Sequence, residues 1–151
     1  MDARPARPID APEVVRLASV MFESMGVDAT SSDWIEAALR NVQERLDDDL
    51  AVFVVDDPLV AGRLIASAAG TIAQRLPTPM NPHGRAGYVQ WVCTDPEYRG
   101  QGLGRQVMAA LVAWYEARDV RAIELHSTPV AESLYLSLGF SDSGPRALRR
   151  R

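Results

Sequence analysis

The sequence contains no lysine, and all sixteen of its basic residues are arginine. A P-loop requires the pattern Gly-x-x-x-x-Gly-Lys-Ser/Thr, so the absence of lysine excludes that class of nucleotide site. Cysteine occurs once, at Cys93, which excludes an intramolecular disulfide framework and fits a reducing compartment. We therefore expect a cytoplasmic protein.

Long apolar runs are also missing. No segment approaches the ~20 apolar residues of a membrane-spanning helix, and no apolar segment follows the basic N-terminal residues, so we expect neither a membrane span nor a signal peptide. The formal net charge of −4 argues against nucleic-acid binding. The acidic run at 47–49 lacks the further ligands of a calcium loop, so we predict a solvated loop and no metal site.

The composition is that of one ordinary globular domain, predicted to span all of 1–151, with 47% hydrophobic and 24% charged residues. Helical periodicity predicts a helix over 11–25 behind an Asp10 cap. It predicts a second helix over about 32–46, capped by Ser31 or Ser32. Runs of β-branched residues predict a hairpin over 50–55 and 60–73, and a short edge strand is expected over 4–9.

The second half of the chain alternates strands and helices. The patterns predict a strand over 88–94, a helix over 103–118, a strand over 121–126, a helix over 129–138 and a last strand from Phe140 into the tail. Strands joined by a helical crossover are parallel, so the sequence predicts an α/β domain with a mixed sheet. The loop before the central strand, 77–87, either borders the site or forms an ordinary surface connection.

The stretch 88–105 is the most informative part of the chain. Its strand breaks at an Asp-Pro pair, because proline cannot donate to a strand ladder. Three glycines follow at alternate positions, Gly100, Gly102 and Gly104, and a helical pattern starts directly after them. Glycines admit a close backbone approach, and the first turn of a helix presents free N–H groups to an anion. This arrangement predicts a phosphate-binding site.

A dinucleotide-binding loop is one interpretation of these glycines. That motif needs Gly-x-Gly-x-x-Gly directly after its strand, but Arg105 stands where the third glycine should be. Glu124 does lie at about the distance, ~20 residues on, of a ribose-binding acid. That agreement is weak support.

Two longer motifs are more specific. Arg99-x-x-Gly102-x-Gly104 matches the pattern Arg/Gln-x-x-Gly-x-Gly/Ala, and the segment 131–140 matches Ala-x-x-Leu-Tyr-x-x-x-Gly-Phe. With both motifs the chain resembles the GNAT superfamily of acyl-CoA-dependent N-acetyltransferases, over about residues 4–147. The resemblance implies a single-domain fold with a mixed sheet of six to seven strands, splayed central strands and about four helices. It also implies acetyl-CoA as co-substrate, with no metal.

The resemblance further implies where the cofactor binds. The pyrophosphate would lie on the amides of the glycine loop. The pantetheine arm would pair with the central strand, in a slot that a bulge opens. The implied positions are Val92, Cys93, Thr94, Arg99, Gly100, Gln101, Gly102, Leu103, Gly104, Arg105 and, where relatives often carry asparagine, Thr128. Cys93 is expected to be structural and not a nucleophile.

The catalytic residues are also implied by the resemblance. Tyr135 matches the general acid that protonates the leaving thiolate. The base stays open between Glu124 and His126, with His83 as an outside candidate and bulk water as a further alternative. A backbone N–H near Val92 would stabilise the oxyanion.

The acceptor is expected to be a primary amine of a small molecule. Its pocket would be shaped by the first two helices and by the loop before the central strand. The candidate lining residues are Phe22, Glu23, Met25, Trp34 and those of segment 80–85. Two alternatives stay open, a non-catalytic acyl-CoA-binding sensor and an enzyme that uses a hydroxyl acceptor or another acyl group. A homodimer would fit the resemblance as well.

Overall fold

The computed structural model describes residues 1–142 and 144–151. One sheet contains five strands in the order β1-β2-β3-β4-β5. The strands are β1 (Arg4–Pro5), β2 (Leu50–Asp56), β3 (Leu64–Gln74), β4 (Arg85–Thr94) and β5 (Ala122–Glu124), and the helices are α1 (Ala11–Ser24), α2 (Ser32–Arg45), α3 (Leu103–Ala117) and α4 (Glu132–Ser137). The first four strands are antiparallel neighbours, and β4 and β5 are parallel, as the α3 crossover requires.

The helices cover opposite faces of the sheet, because strand side chains alternate between the two faces. On one face, α1 and α2 pack against the sheet through Val14, Leu17, Val42, Val52 and Val54. On the other face, α3 and α4 pack through Ile65, Val89, Val107, Leu111 and Tyr135. We call these the α1/α2 face and the α3/α4 face. The sheet is therefore the middle layer of three.

The position of α3 depends on Tyr115, which is fully buried. Its ring lies against Gly70 and Gly87, where a Cβ atom would overlap it. Its hydroxyl lies 3.0 Å from the carbonyl oxygen of Thr71 and 3.2 Å from that of Tyr88. Because these carbonyls belong to β3 and β4, Tyr115 fixes α3 against the strand that leads into the glycine loop.

The expected splay between the central strands is present. Pairing between β4 and β5 covers three registers, Ala86 with Ala122, Gly87 with Ile123 and Tyr88 with Glu124. Among the described residues, β4 has no strand partner on that side beyond Tyr88. Its second half, which leads to the glycine loop, therefore has an open edge facing β5.

The predicted number of strands was wrong, since the sheet has five strands and not six or seven. The missing element is the last strand, predicted from Phe140 into the tail. No strand forms there in the described residues, and Ser143 lies outside them. Gly144 has a φ of 102° and Pro145 lacks an N–H donor, so neither suits a strand.

Two predictions about helix ends also need correction. The last helix begins at Glu132 and not at 129. Asp10 does not cap α1, because its carboxylate accepts a hydrogen bond from the Arg7 N–H at 2.8 Å and pairs with Arg4 at 2.9 Å. Ser31 does cap α2, with its hydroxyl 3.4 Å from the Asp33 N–H.

Candidate active site

The open edge of β4 carries three of the predicted cofactor positions, Val92, Cys93 and Thr94. Just before them the register between β3 and β4 shifts, since Ala69 pairs with Gln90 but Ser67 pairs with Cys93. Two residues of β4 thus stand opposite one residue of β3, which defines a β-bulge. The bulge that the family resemblance implied is present at this place.

Trp91 lies at the bulge and has a φ of 56°, which is uncommon for a residue with a side chain. Its indole packs on the α1/α2 face, whereas the next side chain, Val92, packs on the α3/α4 face. The bulge therefore turns one large aromatic residue toward α1 and α2 at the point where β4 loses its partner.

An ion-pair cluster braces the turn that follows β4. The Asp95 carboxylate accepts hydrogen bonds from the Glu97 N–H at 3.0 Å and from Arg63 at 2.7 Å. Arg63 also lies 3.4 Å from Asp57, which accepts from the Tyr98 hydroxyl at 3.1 Å. Both carboxylates are buried, with 4% exposure for Asp95 and 7% for Asp57. We call Asp57, Arg63, Asp95 and Tyr98 the turn clamp.

The electrostatics of the turn clamp follow from its hydrogen bonds. The Leu59 N–H, the Tyr98 hydroxyl and the charge of Arg63 hold the pKa of Asp57 below its usual value, although burial opposes them. Asp57 is therefore an anion at neutral pH, and it helps to keep Arg63 in place against Asp95.

The glycine loop begins directly after the turn clamp. Gly100 and Gly102 both have a φ of 79°, in the left-handed region, and a Cβ atom on either would meet open space. The backbone angle, and not crowding, thus favours glycine at these two positions. Gly102 is the N-cap of α3. The amides of the first turn that follows, at Leu103, Gly104 and Arg105, have no acceptor within the helix.

The third glycine of the loop has a different role. A Cβ on Gly104 would lie 3.4 Å from the Leu134 side chain, so α4 packs closely over the first turn of α3. Arg105 donates to the Ser137 hydroxyl at 2.7 Å and joins the same two helices. The Arg99 side chain turns back to the carbonyl of Thr94, at 3.4 Å. Both guanidinium groups thus lie beside the loop.

Tyr135 lies on α4 and packs on the α3/α4 face, with 8% exposure. Its ring lies against Phe140, with ring centroids 6.1 Å apart. Burial raises the pKa of Tyr135, and an electrostatic interaction with Cys93 adds to the rise. The phenol is therefore protonated at neutral pH and can donate a proton, as the general-acid prediction needs.

Cys93 is buried on the α1/α2 face, where its sulfur lies 3.6 Å from the Met21 sulfur. Burial raises the pKa of the Cys93 thiol to about 12. A thiol that stays protonated at neutral pH is a poor nucleophile, in keeping with the structural role predicted for it.

The two candidate bases lie at and just beyond the end of β5. Ile123 and Leu125 pack on the α3/α4 face, so alternation places Glu124 on the opposite face. Its carboxylate is exposed and pairs with Arg75 at 3.0 Å.

His126 is also exposed, and its ring lies 5.8 Å from that of Tyr88. Arg149 from the tail lies 2.8 Å and 2.9 Å from its two ring nitrogens. Thr128 is in the exposed connection to α4, where its carbonyl accepts from the Ala131 N–H at 3.1 Å. Its side chain makes no described contact.

An open pocket of about 950 Å³ is lined in part by Tyr135, Glu124 and His126. Tyr135 packs on the α3/α4 face and the Glu124 side chain lies on the opposite face, so these residues reach the pocket from different faces of the sheet. The residue before Tyr135, Leu134, lies at the glycine loop, where a Cβ on Gly104 would be 3.4 Å from its side chain. His83 lies elsewhere, in a pocket of about 450 Å³ that also includes Asp119 and Arg121. It is therefore not grouped with the other candidate bases.

Sequence reasoning missed the turn clamp and the role of Trp91. The available signal for the clamp was the pair of Asp-Pro dipeptides, Asp57-Pro58 and Asp95-Pro96. In each, the carboxylate accepts from the N–H two residues on, at 2.8 Å for Leu59 and 3.0 Å for Glu97. No local sequence pattern indicates that a single arginine, Arg63, joins the two turns. Trp91 was treated as a strand residue, because a bulge leaves no mark in the sequence.

Two features are absent from the described residues. Within 1–142 and 144–151, no group of three or more His, Cys, Asp or Glu side chains is arranged to hold a metal ion. The described helices include none that is both long and apolar enough to cross a membrane. Asp49 of the acidic run pairs with Arg45 at 2.8 Å.

Comparison with known proteins decides the family. The model of the acetyltransferase (GNAT) family matches residues 14–140. The chain belongs to this family. The resemblance drawn from the two sequence motifs is thereby confirmed.

Two curated rice proteins, from Oryza sativa subsp. japonica, are similar to this GNAT chain. Glucosamine 6-phosphate N-acetyltransferase 1 is 32% identical over 92 residues, which is 61% of this chain and 53% of the rice protein. Probable glucosamine 6-phosphate N-acetyltransferase 2 is 28% identical over 118 residues, 78% of this chain and 68% of the rice protein. The chain thus matches about half the length of the first of these relatives.

Solved structures share the fold of this GNAT chain. A predicted acetyltransferase from Clostridium acetobutylicum, solved with acetyl-CoA, has a TM-score of 0.86 at 23% identity and covers 99% of this chain and 95% of its own. Glucosamine-6-phosphate N-acetyltransferase from Arabidopsis thaliana has a TM-score of 0.75 at 18% identity, with 99% and 97% coverage. The predicted GNAT-like fold is confirmed, with five strands.

Proposed function

We propose that this GNAT protein transfers an acetyl group from acetyl-CoA to a primary amine of a small molecule, by direct attack. The observation that carries the proposal is the continuity of two backbone features. The open edge of β4 leads through the turn clamp into a loop with two left-handed glycines and a helix N-terminus. A ligand with an extended amide-bearing arm and a pyrophosphate fits both features. The arm can pair with the open edge of β4, and the pyrophosphate is an anion that the glycine loop and the helix N-terminus can bind.

The residues present fit CoA on chemical grounds. The amides of 100–105 would hold the pyrophosphate, with Arg99 and Arg105 supplying positive charge beside the loop. The backbone of Val92, Cys93 and Thr94 would pair with the pantetheine arm. Thr128 is the weakest of the proposed contacts, because it lies in an exposed connection.

The proposed chemistry uses few side chains. The acceptor amine must first lose a proton, because an alkyl ammonium titrates near ~10. Glu124 or His126 would take that proton directly or through water. The amine nitrogen then bonds to the thioester carbon. A backbone N–H near Val92 donates to the oxygen on which negative charge develops. The carbon–sulfur bond breaks, and the Tyr135 hydroxyl donates its proton to the leaving sulfur. The nitrogen gives up one of its two remaining protons as it becomes the amide, and that proton returns through water to the Tyr135 phenolate.

The rice relatives bear on the acceptor. Both are named for glucosamine 6-phosphate, which carries a primary amine on a small molecule. Their similarity supports an acceptor of that class, and glucosamine 6-phosphate belongs in any acceptor panel.

The test is thiol release from acetyl-CoA across a panel of amines, with the matching alcohols included for O-acetylation. In the Tyr135→Phe variant we expect turnover to fall by about 10²-fold or more, with little change in acetyl-CoA affinity. Tyr115→Phe also removes a buried hydroxyl, but one that bonds to the sheet backbone, so its turnover should be close to that of the parent.

Three results would contradict parts of this proposal. Equal turnover for Tyr135→Phe at saturating amine would remove the acid role. Tight acetyl-CoA binding without thiol release for any acceptor would favour the sensor. Release with alcohols but not with amines would indicate O-acetylation.

A further inference from the structure

Three aromatic rings form a continuous wall on the α1/α2 face. Phe22 of α1 and Trp34 of α2 meet edge to face, with centroids 5.6 Å apart and planes at 85°. Trp34 and Trp91 meet in the same way, at 6.4 Å and 78°. We call Phe22, Trp34 and Trp91 the aromatic wall. All three side chains are only partly buried, so the wall is not a closed part of the core.

The aromatic wall is held from behind at two points. The Trp34 indole N–H donates to the Ala29 carbonyl at 3.1 Å, so it needs no partner from a ligand. Trp91 is turned onto this face by its φ of 56° at the β4 bulge. Hydrogen bonding therefore orients the Trp34 ring and backbone geometry orients Trp91, and both side chains stay partly exposed.

The aromatic wall lies close to the proposed reaction centre. Cys93, two residues after Trp91, lies 3.6 Å from Met21, which precedes Phe22 in α1. Val92, which stands between Trp91 and Cys93 in the chain, packs on the other face of the sheet in the same cluster as Tyr135. The bulge thus places the wall on the face opposite the proposed general acid, at the place where the strands part.

The segment that carries Phe22 and Trp34 has charge of one sign. Residues 17–39, which form most of α1, its connection to α2 and the first half of α2, contain four acids and no basic residue. The acids are Glu23, Asp28, Asp33 and Glu36. Over the described residues none of the four takes part in an ion pair. Met25 and Val27 of the connection are exposed apolar side chains. The surface therefore combines rings, apolar groups and uncompensated negative charge.

We propose that the aromatic wall is the acceptor subsite, and that its acceptor is a cationic amine with an aromatic or apolar body and no phosphate. An ammonium group is attracted by ring faces and by the acidic field, whereas a phosphate would be repelled. The inference rests on the proposed acetyl transfer and names its substrate class. It separates this protein from the sugar phosphate in the names of the rice relatives.

A charged helix surface is usually just solvated, so the acidic residues do not by themselves indicate a binding site. The site is indicated by the aromatic wall. The chain already contains one cation on a tryptophan ring, with the Arg118 guanidinium carbon 4.4 Å from the Trp114 centroid on α3. Trp114 lies on the α3/α4 side, partly buried like Trp34. It provides a matched control.

The experiment measures equilibrium binding to the CoA-loaded protein by calorimetry. Two pairs of probes isolate the two features: 2-phenylethylamine against 2-phenylethanol for the cation, and glucosamine against glucosamine 6-phosphate for the phosphate. We expect 2-phenylethylamine to bind more tightly than 2-phenylethanol, and glucosamine to bind more tightly than glucosamine 6-phosphate. Trp34→Leu should raise the Kd of 2-phenylethylamine about tenfold, within the range of a desolvated cation–π contact, and leave the CoA Kd unchanged. Trp114→Leu should change neither the Kd of 2-phenylethylamine nor that of CoA.

A charge variant keeps the proposal testable if Trp34→Leu fails to fold. Glu23 is exposed beside Phe22, and Glu23→Arg should raise the Kd of 2-phenylethylamine with little effect on 2-phenylethanol. Glu116→Arg makes the same change at an exposed position of α3 and should leave both values unchanged.

The possible results separate this inference from the proposed function. Tighter binding of glucosamine 6-phosphate than of glucosamine overturns the inference, and acetyl transfer to it would leave the proposed function standing. Binding of 2-phenylethylamine that Trp34→Leu or Glu23→Arg weakens, without thiol release for any amine of the panel, overturns the proposed function and supports the aromatic wall only as a site that binds a cationic amine. No binding of either cation, or equal effects of the control variants, overturns the inference.

Discussion

Gly100 and Gly102 share a backbone requirement that a sequence motif does not explain by itself. Both have a φ of 79°, and neither has a neighbour within 4 Å of a would-be Cβ. Residues with side chains pay roughly 1–2 kcal/mol in this region of backbone space. The glycines thus let the chain make two left-handed turns in three residues and present the next amides in one direction.

Gly102→Ala should therefore lower both stability and CoA affinity. We expect a loss of about 1–2 kcal/mol in the free energy of unfolding, from the left-handed φ, and a clear rise in the CoA Kd. Urea unfolding and calorimetry measure the two. Gly62 is a matched control, since its φ is 80° and its Cβ would also meet open space.

Gly62→Ala, in the turn between β2 and β3, should show the same loss of stability with an unchanged CoA Kd. Equal CoA affinity in the two variants would mean that the loop amides do not hold the cofactor.

The two halves of strand β4 differ in their strand pairing. Its first half pairs on both sides, with β3 and β5, and carries Gly87 under the Tyr115 ring. Its second half pairs on one side only, is bulged at Trp91, and ends at Asp95 in the turn clamp. Arg63, which directly precedes β3, joins Asp95 to Asp57. The hairpin of β2 and β3 therefore sets the direction in which the chain leaves β4.

Arg63→Met should destabilise the fold and weaken CoA binding. It leaves the buried Asp57 carboxylate without its cation and Asp95 with only the Arg16 guanidinium, at 3.9 Å. This loss costs about 1–3 kcal/mol, and it frees the turn that positions the glycine loop. Arg45→Met removes an exposed ion pair with Asp49 and should cost less than about 1 kcal/mol. Urea unfolding and CoA calorimetry compare the two variants. A similarly small loss of unfolding free energy in both variants, with equal CoA affinity, would show that the turn clamp does not position the glycine loop.

Over the whole molecule, the sheet separates two kinds of surface. The α3/α4 side carries the glycine loop, its two arginines and Tyr135, whereas the α1/α2 side carries the aromatic wall and unpaired acids. The two sides meet along the second half of β4, where Trp91 packs on one face and Val92 on the other. Elsewhere carboxylates are paired with arginine, as in Arg4 of β1 with Asp56 of β2 at 2.7 Å, so arginine also joins neighbouring strands.

These pairs make stability depend on pH. Arg4 holds the pKa of Asp56 below its usual value, and Arg45 does the same for Asp49. A pKa that is lower in the folded state than the unfolded value of about 3.9 stabilises the fold above that pH. The stabilisation is lost as the pH falls through the folded pKa. We therefore expect the urea midpoint to fall as the pH drops below about 4 and to keep falling until the pH is below the folded pKa values.

Asp56→Asn isolates one such group away from the active site. The variant should be less stable than the parent at pH 7, and the difference should shrink as the pH falls below about 4. An unchanged difference across this range would contradict the assigned shift.

Much of the candidate site could be predicted from local pattern. The glycine loop, the helix after it and the parallel crossover each follow from short-range rules, and the motif around Tyr135 pointed to the family. The failures involve long-range contacts or weak local signals. The tail was predicted as a strand from its place in the family pattern, but Gly144 and Pro145 lack strand chemistry. Asp10 has the pattern of a helix cap, yet Arg4 and Arg7 compete for its carboxylate.

The sequence by itself determined the family, the anion loop and the identity of the candidate acid, because those depend on backbone preferences and residue types at fixed spacing. The tertiary structure alone decided three things. It decided that β4 opens beyond Tyr88, that Arg63 ties two Asp-Pro turns together, and that Trp91 joins Phe22 and Trp34 on one face. Each depends on strand register and on side chains far apart in the chain, which meet only when the sheet and its helices pack.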